Sequence, residues 1–186
     1  RASLPEKPSV RRQRLQEEWQ VPDKEMAAMI NADALDLVEA TVSLGSDPTR
    51  ARGWWLGEIA RLANEKAVSL HELSITPQDV HEIVALITQG ELTDKLARQV
   101  VEGVINGEGK PSAVIEKRGL KVVSDDSALM AAIEKAIAAQ PDVAEKVRNG
   151  HVPAAGALIG AVMKETKGQA DAAKVRDLLL KHLGQA

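Results

Sequence analysis

Two glycines and two lysines near the carboxyl end of the chain have the types and spacing to bind a phosphate backbone. A helical period of 3.6 residues places them on one face of a single helix, at Gly156, Gly160, Lys164 and Lys167. The glycines would let a ligand approach the helix backbone, and the lysines would supply positive charge. The same glycines would equally allow a neighbouring helix to pack closely, so both interpretations stay open.

Four further cations flank this segment and are the other candidate residues for binding an anionic partner: Lys146, Arg148, Lys174 and Lys181. Residues 144–186 carry seven basic and four acidic side chains, whereas the whole chain has a net charge of −3. A basic end on an otherwise acidic chain indicates an anionic partner at that end.

Motifs for catalysis or metal binding are incomplete in this sequence. His81-Glu82 begins like the zinc-protease helix motif, but Ala85 stands where the second histidine ligand belongs. The Gly107–Lys110 segment resembles the end of a phosphate-binding loop, but Pro111 replaces the hydroxyl residue that would hold magnesium. The absence of cysteine excludes thiolate ligands and cysteine nucleophiles. On its own residues the chain therefore shows no catalytic residue and no metal site.

A recurring order of capping residue, apolar stripe and glycine predicts helices along most of the chain. Aromatic residues make up only 2% of the sequence, so the core must be aliphatic and alanine-rich, which favours helices. The predicted helices begin or are capped at Asn31, Asp47-Pro48, Thr76-Pro77, Thr93, Pro111, Ser124-Asp125-Asp126, Pro141, the segment before Gly156, and Asp171. The fold class is therefore all-α, as two consecutive small helical bundles.

Core-facing stripes follow from the same periodicity. In the glycine-containing helix the stripe consists of Ala155, Leu158, Ile159, Val162 and Thr166, and Gly168 is expected to end the helix in the left-handed conformation. In the last helix the inward residues are Val175, Leu178, Leu179 and His182. Trp54 lies off the stripe of its own helix, so it either packs against a second element or stacks on a base.

The ends and the boundary of the bundles follow from local composition. Residues 1–10 contain two prolines and no period, which indicates a linker tail. A short helix ending near Gln20 carries Arg11, Arg12 and Arg14, for which a solvated face is favoured over an RNA or partner contact. Residues 120–124 look extended and mark a domain boundary. The predicted organisation is residues 1–18 as linker, 19–120 as a helical bundle and 121–186 as a tail domain.

Composition also bears on the cellular setting. No apolar run approaches the roughly 18 residues that a membrane-spanning helix needs, so we expect no membrane partner. The lack of cysteine is compatible with a reducing cytoplasm, which is the compartment we expect. The chain begins with Arg1 and not with Met, which suggests a piece of a longer protein.

Four segments together resemble one family. They are Arg50–Asn64, Ile75–Asp79 with Gly90 and Lys95–Arg98, Glu116–Leu120, and Ala157–Ala170. In this order they are similar to the C-terminal half of the B subunit of bacterial tRNA-dependent amidotransferases. The most specific piece, Gly-x-Val-Met-Lys-x-Thr-x-Gly at 160–168, resembles the signature of the tail domain shared with YqeY-type proteins. One departure is Asp171-Ala172, where the family often has Asn-Pro.

The resemblance implies a role in translation. In that family the enzyme converts misacylated Glu-tRNA(Gln) or Asp-tRNA(Asn) to Gln-tRNA or Asn-tRNA, using ATP and ammonia released from glutamine. ATP and magnesium bind in a catalytic cradle that would precede residue 1, and residues 1–18 would lead out of that cradle. No cofactor is then expected in this chain, and the implied partners are tRNA and the two other subunits of a heterotrimeric complex, an amidase and a small third chain.

The leading hypothesis is a tRNA-binding part of the amidotransferase that carries no catalytic site itself. Folded RNA is recognised largely through phosphate and ribose, which suits a glycine face with lysines. The alternative is a protein-interaction module, in which the acidic middle and Trp54 dock another subunit of the complex. A stand-alone enzyme is the third and least favoured hypothesis.

Overall fold

The computed structural model describes residues 6–123 and 125–185, and over these residues the predicted all-α fold is confirmed. Within this part of the chain the extended structure is limited to one isolated parallel bridge between Val123 and Ala170. The α-helices are α1 Pro8–Trp19, α2 Asp23–Asn31, α3 Leu35–Ser43, α4 Pro48–Trp54, α5 Ala60–Lys66, α6 Pro77–Thr88, α7 Asp94–Ile105, α8 Pro111–Arg118, α9 Asp126–Ala139, α10 Pro141–Arg148, α11 Ala155–Glu165 and α12 Ala172–His182.

Two compact units make up the described chain. The first contains the chain up to Ala85 together with Val101–Pro111, and the second contains Leu86–Val100 together with the chain from Ser112 onward. The predicted organisation into 1–18, 19–120 and 121–186 stays a prediction.

In the first unit, α1 begins at Pro8, earlier than the sequence indicated, with proline at its first position. Its arginines are not simply solvated. Arg11 is half-buried and pairs with Asp36 of α3 at 2.5 Å, and Arg14 pairs with Glu39 of the same helix at 2.9 Å. Desolvation opposes the charged form of Arg11, but its carboxylate partners outweigh that effect, and the pKa of both guanidinium groups is raised. The charges of Arg11 and Arg14 are therefore already offset by carboxylates of α3. Residues 1–5 of the predicted linker lie outside the described part.

Helix α2 was not predicted, and the assignment of Asn31 as a helix cap was wrong. Asn31 is the last residue of α2, and Ala34 stands at the amino end of α3. The core face of α2 consists mainly of Met26 and Met29, both fully buried. A nine-residue helix with such a narrow stripe gives little periodic signal.

The helical run from Pro48 to Lys66 was predicted as a single helix and is confirmed, but it contains a π-helical turn at Trp55–Ile59. The cap at Asp47 accepts a hydrogen bond from the backbone N–H of Arg50 at 2.9 Å. Trp55 is fully buried, and its indole Nε1 donates to Thr41 Oγ1 at 2.9 Å. Trp54 is half-buried beside it.

The start of α6 is fixed by a buried carboxylate. Asp79 is 2% exposed and accepts hydrogen bonds from the backbone N–H and the hydroxyl of Thr76 at 2.9 and 2.8 Å. Lys110 Nζ lies 3.1 Å from the other carboxylate oxygen. The lysine of the Gly107–Lys110 segment thus serves the cap of α6, which is a structural role.

In the second unit, α9 to α12 enclose an aliphatic core. Its fully buried members come mainly from the predicted stripes: Leu129, Ile133, Val147, Leu158, Val162, Val175 and Leu179. The prediction for His182 was wrong, because His182 is exposed and Leu183 takes the inward position at 5% exposure. Asp125 and Asp171 cap α9 and α12 as predicted, and Ser124 lies outside the described residues.

Candidate nucleic-acid interface

Helix α11 has one face in the core and the opposite face in solvent. Ala155, Leu158 and Val162 are buried, and Ile159 and Thr166 are half-buried, so the predicted stripe is confirmed. Burying this stripe against α9 and α12 fixes the rotation of the helix about its axis.

The glycine face is bare. Gly156 and Gly160 are both exposed, and a Cβ added to either would meet no atom of the described residues within 4 Å. A glycine that serves helix packing would have a neighbouring helix against it. In the part of the chain that the structure covers, close packing therefore does not account for these two glycines, and the backbone of α11 is accessible there.

An open groove of about 760 Å³ runs beside this face, lined by Gln140, Gly160, Ala161, Lys164, Glu165 and Lys167. Gln140 follows the last residue of α9 and was not recognised as a candidate from the sequence. No sequence signal marks it, because its place in the groove comes from the turn between α9 and α10. Its carboxamide adds a group that can both donate and accept hydrogen bonds.

The groove rim carries net positive charge. Lys164 and Lys167 are exposed, and neither forms an ion pair within the described ranges. The one acidic side chain of the groove, Glu165, is held by Lys135, whose Nζ lies 2.5 Å from its Oε1. Two cations remain available for an anionic ligand.

Helix α11 ends one residue earlier than predicted. Lys167, not Gly168, is the first left-handed residue, with φ +53°, and Gly168 follows at φ +76°. The N–H of Gly168 donates to the carbonyl of Met163 at 2.7 Å, and the N–H of Lys167 donates to the carbonyl of Lys164 at 3.1 Å. These two bonds form a Schellman motif, in which glycine usually takes the position that Lys167 occupies here.

The other four candidate cations lie outside this groove. Lys146 and Arg148 are exposed on α10, and Lys181 is exposed on α12. Lys174 is half-buried and pairs with Asp126 at 2.6 Å, so part of its charge is already offset. Contact between these residues and RNA stays a prediction.

Capping carboxylates near this region are stabilised in their charged form. Asp125 Oδ1 accepts hydrogen bonds from the hydroxyl and the N–H of Ser127 at 2.7 and 3.0 Å. These bonds lower the pKa of Asp125 below its ordinary value. The carboxylate is therefore fully charged at neutral pH and holds the first turn of α9.

Elsewhere in the described ranges, the structure holds no cluster of three or more His, Asp or Glu side chains able to bind a metal ion. His81 is instead hydrogen-bonded through Nδ1 to Ser46 Oγ at 2.8 Å. None of the described helices is both long and apolar enough to cross a membrane.

Comparison with known proteins agrees with the resemblance. Residues 36–183 match the family model described as the GatB domain. The chain is 57% identical over 184 residues to the B subunit of the aspartyl/glutamyl-tRNA(Asn/Gln) amidotransferase of Thermobifida fusca, a match that covers 99% of this chain and 36% of that protein. The corresponding protein of Streptomyces coelicolor is 56% identical over 186 residues, a match that covers 100% of this chain and 37% of that protein. The chain thus spans little more than a third of the length of these relatives.

Proposed function

Because the chain belongs to the GatB/YqeY family, we propose that it is the tRNA-holding part of the B subunit of an amidotransferase, without the catalytic site. The relatives are named as aspartyl/glutamyl-tRNA(Asn/Gln) amidotransferases. The observation that carries the proposal is the bare glycine face of α11 beside two unpaired lysines on an open groove of the described chain. Such a surface can approach an RNA backbone closely and neutralise phosphates.

In this proposal ATP and magnesium act outside this chain. Lys110, the lysine of the loop that resembles a phosphate-binding motif, is held by the buried carboxylate of Asp79. This contact supports the proposal, because it engages the lysine that a phosphate-binding loop would offer to a nucleotide. The amidase and small subunits of the complex and a cytoplasmic setting belong to the same proposal.

The test is binding of the 186-residue chain to a tRNA(Gln) transcript over a range of salt concentrations. The variant K164Q/K167Q should weaken binding about tenfold and lower the slope of log affinity against log salt by about 2, one unit per lost phosphate contact. The matched control is K24Q/K66Q, which removes two exposed lysines of the first unit and should leave both quantities unchanged. An unchanged slope in K164Q/K167Q contradicts the lysine assignment.

A second candidate function is docking of another subunit on the first unit. Gly53 and Gly57 are exposed, and a Cβ on either would meet no described atom within 4 Å. This bare strip flanks the half-buried Trp54 at the π-helical turn. Co-purification with the amidase subunit, lost on Trp54→Ala, together with undetectable tRNA binding would favour this function over the first.

A further inference from the structure

The turn after α11 is fastened to the segment that follows α8, and both belong to the second unit. Gln169 Nε2 donates to the carbonyl of Gly119 at 2.6 Å, and the N–H of Val123 donates to the carbonyl of Gln169 at 2.8 Å. Val123 also bridges Ala170 in parallel. The lysine-bearing end of α11 is therefore held in a defined position relative to residues 119–123.

Lys95 of α7 lies across the same turn. Its Nζ and Cε are 2.8 and 3.3 Å from the position that a Cβ on Gly168 would take. Gly168 is buried, so the turn accommodates Lys95 because residue 168 has no side chain. In the described ranges Lys95 has no carboxylate partner, and its ammonium group lies beside the residue that follows Lys167.

Arg98 is a second exposed cation on α7. It follows Lys95 by three residues, which places both on one helix face, and both are exposed. Leu96 and Ala97 between them are buried. Helix α7 thus presents two exposed cations on one face, neither of which forms an ion pair in the covered part of the chain, and the first of them, Lys95, lies beside the turn after α11.

We propose that Lys95 and Arg98 extend the RNA-binding surface from α11 onto α7, so that phosphates of one tRNA are bound on both sides of the joint formed by Gly119–Val123 and Gly168–Ala170. This inference rests on the proposed function. Because the joint holds α7 and the end of α11 together, a tRNA bound through Lys164 and Lys167 brings its neighbouring phosphates close to Lys95 and Arg98. The two pairs of cations therefore bind the same tRNA cooperatively.

The experiment compares K95Q/R98Q with the unchanged chain in binding to the tRNA(Gln) transcript at several salt concentrations. The double variant should weaken binding about tenfold and reduce the salt slope by about 2. The charge-retaining variant K95R/R98K should keep the slope, which distinguishes phosphate contact from packing at Gly168. K24Q/K66Q is again the control. An unchanged thermal unfolding midpoint in each variant would show that folding is unaffected.

The outcomes separate this inference from the proposed function. If K164Q/K167Q weakens binding and K95Q/R98Q does not, the extension onto α7 is wrong and the α11 surface stands. Equal loss in K95Q/R98Q and K95R/R98K also overturns the inference, because it indicates a packing role. A pull-down of the amidase subunit by each variant completes the test. If K95Q/R98Q loses that subunit while tRNA binding is unchanged, the surface docks an acidic protein and the inference is wrong. No binding by the unchanged chain refutes the proposed function itself.

Discussion

At the scale of single residues, the glycines of α11 carry a cost that the described structure does not offset. Glycine inside a helix destabilises the fold by about 0.5–1 kcal/mol relative to alanine. Gly160 is in mid-helix, exposed, and bordered by the groove that Lys164 and Lys167 line. A ligand that approaches the backbone at this point would explain why a side chain is absent.

We expect Gly160→Ala to act in opposite directions on stability and on RNA binding. The free energy of unfolding should rise by about 0.5–1 kcal/mol, because alanine is the better helix former. Binding of the tRNA transcript should weaken several-fold, because the added methyl group enters the groove. Denaturant unfolding and a binding titration measure the two effects.

The control for this variant is Gly53→Ala in the first unit. Gly53 is likewise an exposed glycine inside a helix with open space at its Cβ position. It should give a similar gain in stability and leave RNA binding unchanged. Undiminished RNA binding by Gly160→Ala would argue against close approach of the RNA backbone to α11.

At the scale of secondary-structure elements, the helix starts that carry a capping aspartate were predicted from the sequence, whereas the starts of α1, α2 and α3 were not. Asp47, Asp125 and Asp171 cap the helices that their types and positions indicated, because a capping bond involves only neighbours in sequence. The π-helical turn at Trp55–Ile59 has no such local signal. The position of Gln140 in the groove depends on how α9, α10 and α11 meet, which periodicity does not encode.

The partners of the ion pairs were likewise not predicted from the sequence. The sequence favoured a solvated face for Arg11 and Arg14, but they bind carboxylates of α3 more than twenty residues away. Lys174 was predicted to contact RNA, and its partner Asp126 lies on another helix. Pairs at such sequence separations follow from tertiary packing, so a count of basic residues overestimates the charge available to a ligand.

The departure from the family at Asp171-Ala172 leads to a prediction for α12. Ala172 is the first residue of that helix, and Asp171 has φ −76° and ψ 116°, a conformation that a following proline allows. Ala172→Pro should therefore raise the free energy of unfolding by about 0.4–1 kcal/mol, mainly by restricting the unfolded chain. Denaturant unfolding measures the change.

The matched control is Ala173→Pro, one residue further on. The N–H of Ala173 donates to Asp171 Oδ1 at 2.8 Å, and proline would remove that donor. The free energy of unfolding of this variant should be lower than that of the unchanged chain by about 1 kcal/mol. Equal effects of the two prolines would show that the cap at Asp171 does not define the first turn.

At the scale of the whole molecule, carboxylates with lowered pKa values occur in both units. A hydrogen bond from Arg14 lowers the pKa of Glu6, bonds from the N–H and hydroxyl of Ser69 lower that of Glu72, and bonds from Ser127 lower that of Asp125. A carboxylate with a lowered pKa in the folded state stabilises the fold above its unfolded pKa. That contribution is lost as the pH falls through the folded-state pKa.

We therefore expect these carboxylates to keep the thermal unfolding midpoint nearly constant between pH 7 and about 5 and to lower it below about pH 4, where unfolded Asp and Glu bind protons. Scanning calorimetry at stepwise pH measures this. The double variant E72Q/D125N should have a lower midpoint at pH 7 and a shallower acid decline than the unchanged chain. An identical decline in both proteins would assign the acid sensitivity to other groups.

The left-handed backbone at Lys167 has a consequence for attempts to improve this protein. A left-handed conformation costs a lysine roughly 1–2 kcal/mol that glycine avoids. A screen that rewards only heat resistance would therefore favour Lys167→Gly and so discard one of the two cations of the groove. Engineering campaigns on this chain should select for ligand retention in parallel, since the variant with the higher thermal stability would otherwise bind its ligand less tightly.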